Sequence, residues 1–189
     1  ATAPDLSVSL ETGAARRLLE DVRDGRLDVA VVCLPAPVSG LRTFPIAHEG
    51  TVAAVPFHHP CAAEPELALA GLQRTRLVQL ARSVNPAFYD GVLAACRSAG
   101  IAPSLLEIAQ PAIEQVLLAV ASGAGIALLP ASAESRFATP GVRFLPLAAP
   151  APRFQVALVT RTELSAATTS LLRLARPSAE PQPVELAAA

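Results

Sequence analysis

The residues able to do chemistry are few and scattered. Cys33, Cys61 and Cys96 are widely spaced with no Cys-x-x-Cys pair, which predicts reduced thiols rather than a disulfide scaffold. Cys33 follows a strand and could sense an oxidant, but no resolving cysteine lies near it in sequence and no basic neighbour lowers its pKa. Cys96 falls on an apolar helix face and reads as core. His58 and His59 adjoin, with His48 nearby. Adjacent side chains on extended backbone point to opposite faces and do not readily share an ion, so no metal is expected. No nucleophile with an oriented base, no paired carboxylates and no phosphate loop can be read. The run Gly123-Ala124-Gly125 is too short and follows a helix, so it is no dinucleotide fingerprint. Neither catalysis nor a cofactor is expected.

What remains is binding. In open α/β sheets a ligand lies beyond the carboxyl ends of the strands, where helix N-termini aim backbone N–H groups at it. Three helix starts qualify: Thr12, Gly13, Ala14 and Ala15; Ser83 to Asn85; and Gln110 to Ile113. They would stabilise an anionic group without a buried arginine. Arg82, just before Ser83, adds a bidentate partner for a carboxylate. Each has a plainer reading beside this one: Thr12, Ser83 and Asn85 as helix caps, Arg82 as a solvated loop residue.

The elements that must hold these starts follow from periodicity. Residues 6–10 alternate Leu6, Val8 and Leu10 against Ser7 and Ser9, the pattern of a half-buried strand. Leu18, Leu19 and Val22 then share a helix face, Gly25 suits a left-handed C-cap, and 27–32 reads as a strand buried on both faces, so strand, helix and strand form a βαβ unit. Strands are expected at 41–48 and 51–57, and the prolines of 58–66 mark a break and the first change of lobe. A strand at 76–80 leads to a helix at 86–99, with Asn85 as N-cap and Pro86 at its first position. A strand at 105–108, a helix carrying Ile113, Val116, Leu117 and Val120, and a strand at 126–129 come next. Strands at 142–145 and 154–160 flank a proline-rich return connection. A helix at 165–176 precedes a Pro- and Ala-rich tail, 177–189, expected to be mobile.

Composition narrows the class. The 15 basic residues are all Arg, set against 16 acidic ones and never clustered beyond a pair, so no face able to neutralise phosphates is visible. Any DNA contact is expected to lie outside these residues. No window reaches the roughly 18 to 20 apolar residues of a membrane span, and no signal core opens the chain, which predicts a cytoplasmic protein with no membrane partner. With no initiator Met, the sequence reads as a fragment.

Four blocks in fixed order carry a family resemblance: LLEDVRDGRLDVAVV (18–32), GLRTFPIAHEGTVAAVPFHHP (40–60), VLLAVASGAGIALLPAS (116–132) and PRFQVALVTR (152–161). Over residues 6–176 the chain resembles the effector-binding domain of LysR-type transcriptional regulators. The resemblance implies a type 2 periplasmic-binding-protein fold: two Rossmann-like α/β lobes joined by two crossovers, with a small-molecule effector in the cleft. It divides the chain into 1–57 and 146–176 for the first lobe and 58–145 for the second. It also implies self-assembly as dimers or tetramers, an upstream winged helix-turn-helix that binds DNA, and an effector that is a small organic acid or aromatic metabolite. On this placement Pro130, with Pro56, Phe57 and Ala131, walls the cleft; otherwise these residues are turn punctuation. Two departures stand out. The family's strand and long helix before 6–10 are missing, and Ala14 and Ala15 stand where many members place Ser or Thr. A transport solute-binding protein shares the fold, and an enzyme on the same scaffold would need converging titratable groups in the cleft.

Overall fold

A computed structural model describes residues 7–175. The first helix, α1 (Ala15–Arg23), forms because Leu19 and Val22 fall on one face while arginines and acids cover the other. Both apolar side chains are fully buried, worth about 3–6 kcal/mol together relative to exposure. The helix ends where expected, with Gly25 at φ +78°. Arg161 seals this end: its Nη1 donates to the carbonyl of Val22 in the last turn (3.0 Å) and to that of Leu27 just beyond the helix (2.9 Å).

The strands β1 (Val29–Leu34), β2 (Arg42–Glu49) and β8 (Phe154–Thr160) form one antiparallel sheet in the order β1-β8-β2. Its core joins Leu19 and Val22 to Ala30, Val32 and Val159. The second layer contains β3 (Thr51–Pro56), β4 (Leu77–Leu80), β5 (Leu105–Ile108), β6 (Ala127–Pro130) and β7 (Val142–Pro146). Here β6-β3-β7 is antiparallel and β4-β5 is parallel. The two groups join where Val78 N–H donates to Ile126 O and Ile126 N–H to Arg76 O. Gly125 permits that junction, since a Cβ there would collide with the Arg76 carbonyl. α2 (Pro86–Ser98) connects β4 to its parallel neighbour β5, and α3 (Ile113–Ala121) connects β5 to β6. The remaining helices are α4 (Ser132–Arg136), absent from the sequence reading, and α5 (Ala166–Leu174).

Three expectations are corrected. Residues 7–10 form no strand, and Leu10 is 92% exposed. Alternation alone does not stabilise a strand whose N–H and C=O groups find no partner, and the βαβ unit predicted around α1 falls with it. Second, the chain changes sheet at Gly50, between β2 and β3, rather than within 58–66. Residues 51–56 therefore belong with the second layer, not with the first lobe as the 1–57 division had it. Third, Thr12 does not cap α1; Ala14 holds the N-cap position without a side-chain bond. The predicted tail 177–189, Leu6 and the end of the last predicted helix at Arg176 lie outside the described residues.

The chain returns to the first sheet through residues 147–153. The two passages between the layers are tied together, Thr51 Oγ1 donating to the Pro152 carbonyl at 2.9 Å. Beside them Ala131 N–H donates to Gly50 O (3.0 Å) and Ser132 N–H to Glu49 Oε1 (2.8 Å). Pro130, opposite Thr51 in the ladder, thus sits at this crossing.

Candidate functional site

The starts of α1 and α2 come from different layers, and the fold brings them into contact. Ala15 N–H, the first donor of α1, reaches the Val84 carbonyl at 2.9 Å. Asn85 Oδ1 accepts from Phe88 N–H at 3.2 Å, capping α2 as its position predicted. The Asn85 side chain also lies near the Cys33 thiol at the end of β1. Burial pushes this half-buried thiol above its usual range; the nearby Asn85 amide acts downward and the negative charge of Glu49 upward. Ala15, Cys33, Val84 and Asn85 therefore meet where the first sheet faces α2. Nothing in the sequence pointed from Cys33 to Asn85, because the contact joins β1 of one layer to the N-cap of a helix on the other.

The other expected site residues divide. Gly13 and Ala14 lead into this contact, and Thr12 is exposed just before them. Ser83 is exposed in the loop that carries Val84 and Asn85. Arg82 is already committed: its Nε and Nη2 donate to the two carboxylate oxygens of Asp90 at 2.8 and 2.7 Å. It is not a free partner for a carboxylate, since a ligand would have to displace a bidentate pair. Gln110 accepts from Gln115 Nε2 at the approach to α3, and Ile113 is that helix's first residue. Among the described residues no hydrogen bond ties either to the α1–α2 contact.

The histidines have separate tasks. His59 Nδ1 accepts from Cys61 N–H, His58 lies edge-on to Phe57, and His48 approaches Gln155 across the first sheet. An open hollow of about 360 Å³ lies at the other end of α1, lined by Arg23, Gly40, Leu41, Arg161, Thr162 and Glu163. Both its arginines are spent on backbone carbonyls, Arg161 as described and Arg23 on Pro37 O, so it reads as a helix-end seal rather than a receptor.

Residues 1–180 match the LysR substrate binding domain profile. The chain belongs to this family. A hydrogen peroxide-inducible genes activator of Haemophilus influenzae is 32% identical over 159 residues, 84% of this chain and 52% of that protein. The chain thus spans about half the length of the curated relatives it matches. Among solved structures, the reduced OxyR regulatory domain of Pseudomonas aeruginosa has a TM-score of 0.71 at 28% identity, over 86% of this chain and 77% of that one. The BenM effector-binding domain with benzoate has a TM-score of 0.77 over 91% and 78%, and at 23% identity it speaks for the fold alone. As a LysR substrate-binding domain the chain has the type 2 periplasmic-binding-protein fold, which accounts for two layers linked by two passages. No helix among the described residues is long and apolar enough to cross a membrane.

Proposed function

We propose that this domain senses a small organic acid at the junction of α1 and α2 and passes the signal to an upstream DNA-binding domain of a longer, self-associating regulator. The observation that carries the reading is the bond from Ala15 N–H to the Val84 carbonyl. It joins the two layers through the first donor of one helix, at the positive end of its dipole. A ligand carboxylate is a stronger acceptor than a carbonyl and would take over that donor, releasing the 82–85 loop from α1. Binding and the relative position of the layers are thereby linked, and the ligand shifts the arrangement by its differential affinity for the two.

The peroxide-inducible relatives raise a second reading, oxidation of a thiol. The Cys33 and Cys96 thiols are both pushed up by burial, which suppresses the reactive thiolate. The Ala15–Val84 bond between the layers favours ligand binding over oxidation at these two thiols. Calorimetry of the chain with a panel of small aliphatic and aromatic carboxylic acids should show one-site binding. Absence of heat with every acid, in a folded sample, would sink the proposal.

A further inference from the structure

Beneath the first turn of α2 lies a polar group that the protein does not satisfy. Gln79 is 4% exposed, and its Nε2 has no hydrogen-bond partner. A buried amide left unpaired is costly, and native proteins seldom keep one without a use for it.

Its position follows from the alternation of β4. Val78 packs with Val116, Leu117 and Val120 of α3, so Gln79 projects to the opposite face, which carries Leu77 and packs on Phe88 and Val92 of α2. Across the ladder Gln79 is paired with Glu107, whose carboxylate accepts from the Tyr89 hydroxyl in the first turn of α2. The preceding residue of that turn, Phe88, packs on Phe154 of the first sheet with ring centroids 4.4 Å apart. The unpaired amide thus lies on the face of β4 covered by α2, whose first turn follows the Val84 contact to α1 and packs through Phe88 on the first sheet.

We infer that Gln79 donates from Nε2 to a neutral oxygen of the effector, making this a receptor for oxo- or hydroxycarboxylic acids rather than for acids lacking a second acceptor. This deepens the cleft reading given above and rests on it. The carboxylate would occupy the helix starts at Ala15 and Asn85. The deeper end must bring a carbonyl or hydroxyl, because the group waiting for it is an uncharged N–H donor. A site built to bond such an oxygen discriminates against the analogue without it, because the buried donor is then left unpaired.

The test uses matched acids: butyrate against 2-oxobutyrate, and benzoate against 2-hydroxybenzoate. Calorimetry is run on the whole 189-residue chain and on its Gln79→Leu variant. The wild-type chain should prefer the oxygenated member of at least one pair by about tenfold. The preference should fall to about twofold or less in Gln79→Leu while the plain acid binds as before. Without any acid, Gln79→Leu should melt higher than wild type, since a similar apolar side chain replaces an unpaired donor. Equal binding of both members in every pair, a preference that survives Gln79→Leu, or a lower melting temperature for the free variant would each overturn the role of Gln79 and leave the cleft standing. Failure of all four acids to bind would overturn both.

Discussion

Gly91 lies in the middle of α2, where an alanine would ordinarily help. Replacing an interior helix glycine by alanine gains about 1 kcal/mol. Here a Cβ would lie 2.5 Å from Phe154 Cε1 and 3.0 Å from Cζ, well inside the normal carbon–carbon contact of about 3.5–4.0 Å. The ring has little room to retreat, being 6% exposed and packed on Phe88. Overpacking of this kind costs about 1–3 kcal/mol, so Gly91→Ala should lose about 0–2 kcal/mol net instead of gaining one. Phe154→Leu should cost about 1–2 kcal/mol alone by thinning the contact. Combined, the two should be less damaging than their sum by about 1–3 kcal/mol, because the shortened side chain makes room for the new methyl. Urea unfolding of the four proteins at constant m-value measures this directly. A Gly91→Ala protein more stable than wild type, or strict additivity in the cycle, would show that α2 does not approach the first sheet as closely as described. The result matters for function, since this contact fixes α2, and with it Asn85, against the other layer.

Two further outcomes test the electrostatics. The Asp21 carboxyl is held below its usual range, chiefly by its hydrogen bond from Arg26 and also by Arg17, and a carboxylate with a depressed folded pKa adds stability that is present above its unfolded pKa. That contribution should vanish as pH falls from about 5 through the folded value, so the gap between wild type and Asp21→Asn in urea midpoint should be full at pH 7 and close in acid. Parallel curves would refute it. Iodoacetamide should alkylate Cys33 at pH 7.5 more slowly than free cysteine because burial raises the thiol pKa, and Asn85→Ala should slow it further by removing the nearby amide that acts downward. Labelling as fast as free thiol would restore the oxidation reading.

β5 and β8 fall where the sequence placed them, and α2 differs by one residue, because strong local signals agree there: Asn85 and Pro86 open the helix and an apolar stripe runs through Phe88, Val92 and Cys96. Residues 6–10 carry an equally clear alternation, yet 7–10 are not a strand, because a strand is stabilised by a neighbour that the segment itself does not encode. The same blindness hid the change of sheet at Gly50: β2 and β3 read alike as adjacent strands, and only their partners, β8 for one and β6 and β7 for the other, separate them.

For the candidate site, the sequence by itself determined that helices begin near Ala15 and at Asn85, the first from periodicity and the second from its cap and proline, though it misassigned the cap of α1 to Thr12. Tertiary structure alone decided which of them meet. Arg82 was free in sequence and is spent on Asp90, eight residues on in the second turn of α2. Gln79 looked like an ordinary strand residue, and only its burial in the tertiary structure turned its amide into an unsatisfied donor. Local free energies over a few residues write themselves into sequence as pattern. Contacts between β1, β8 and α2 span 50 residues and more, and depend on two passages between layers whose geometry no short window contains.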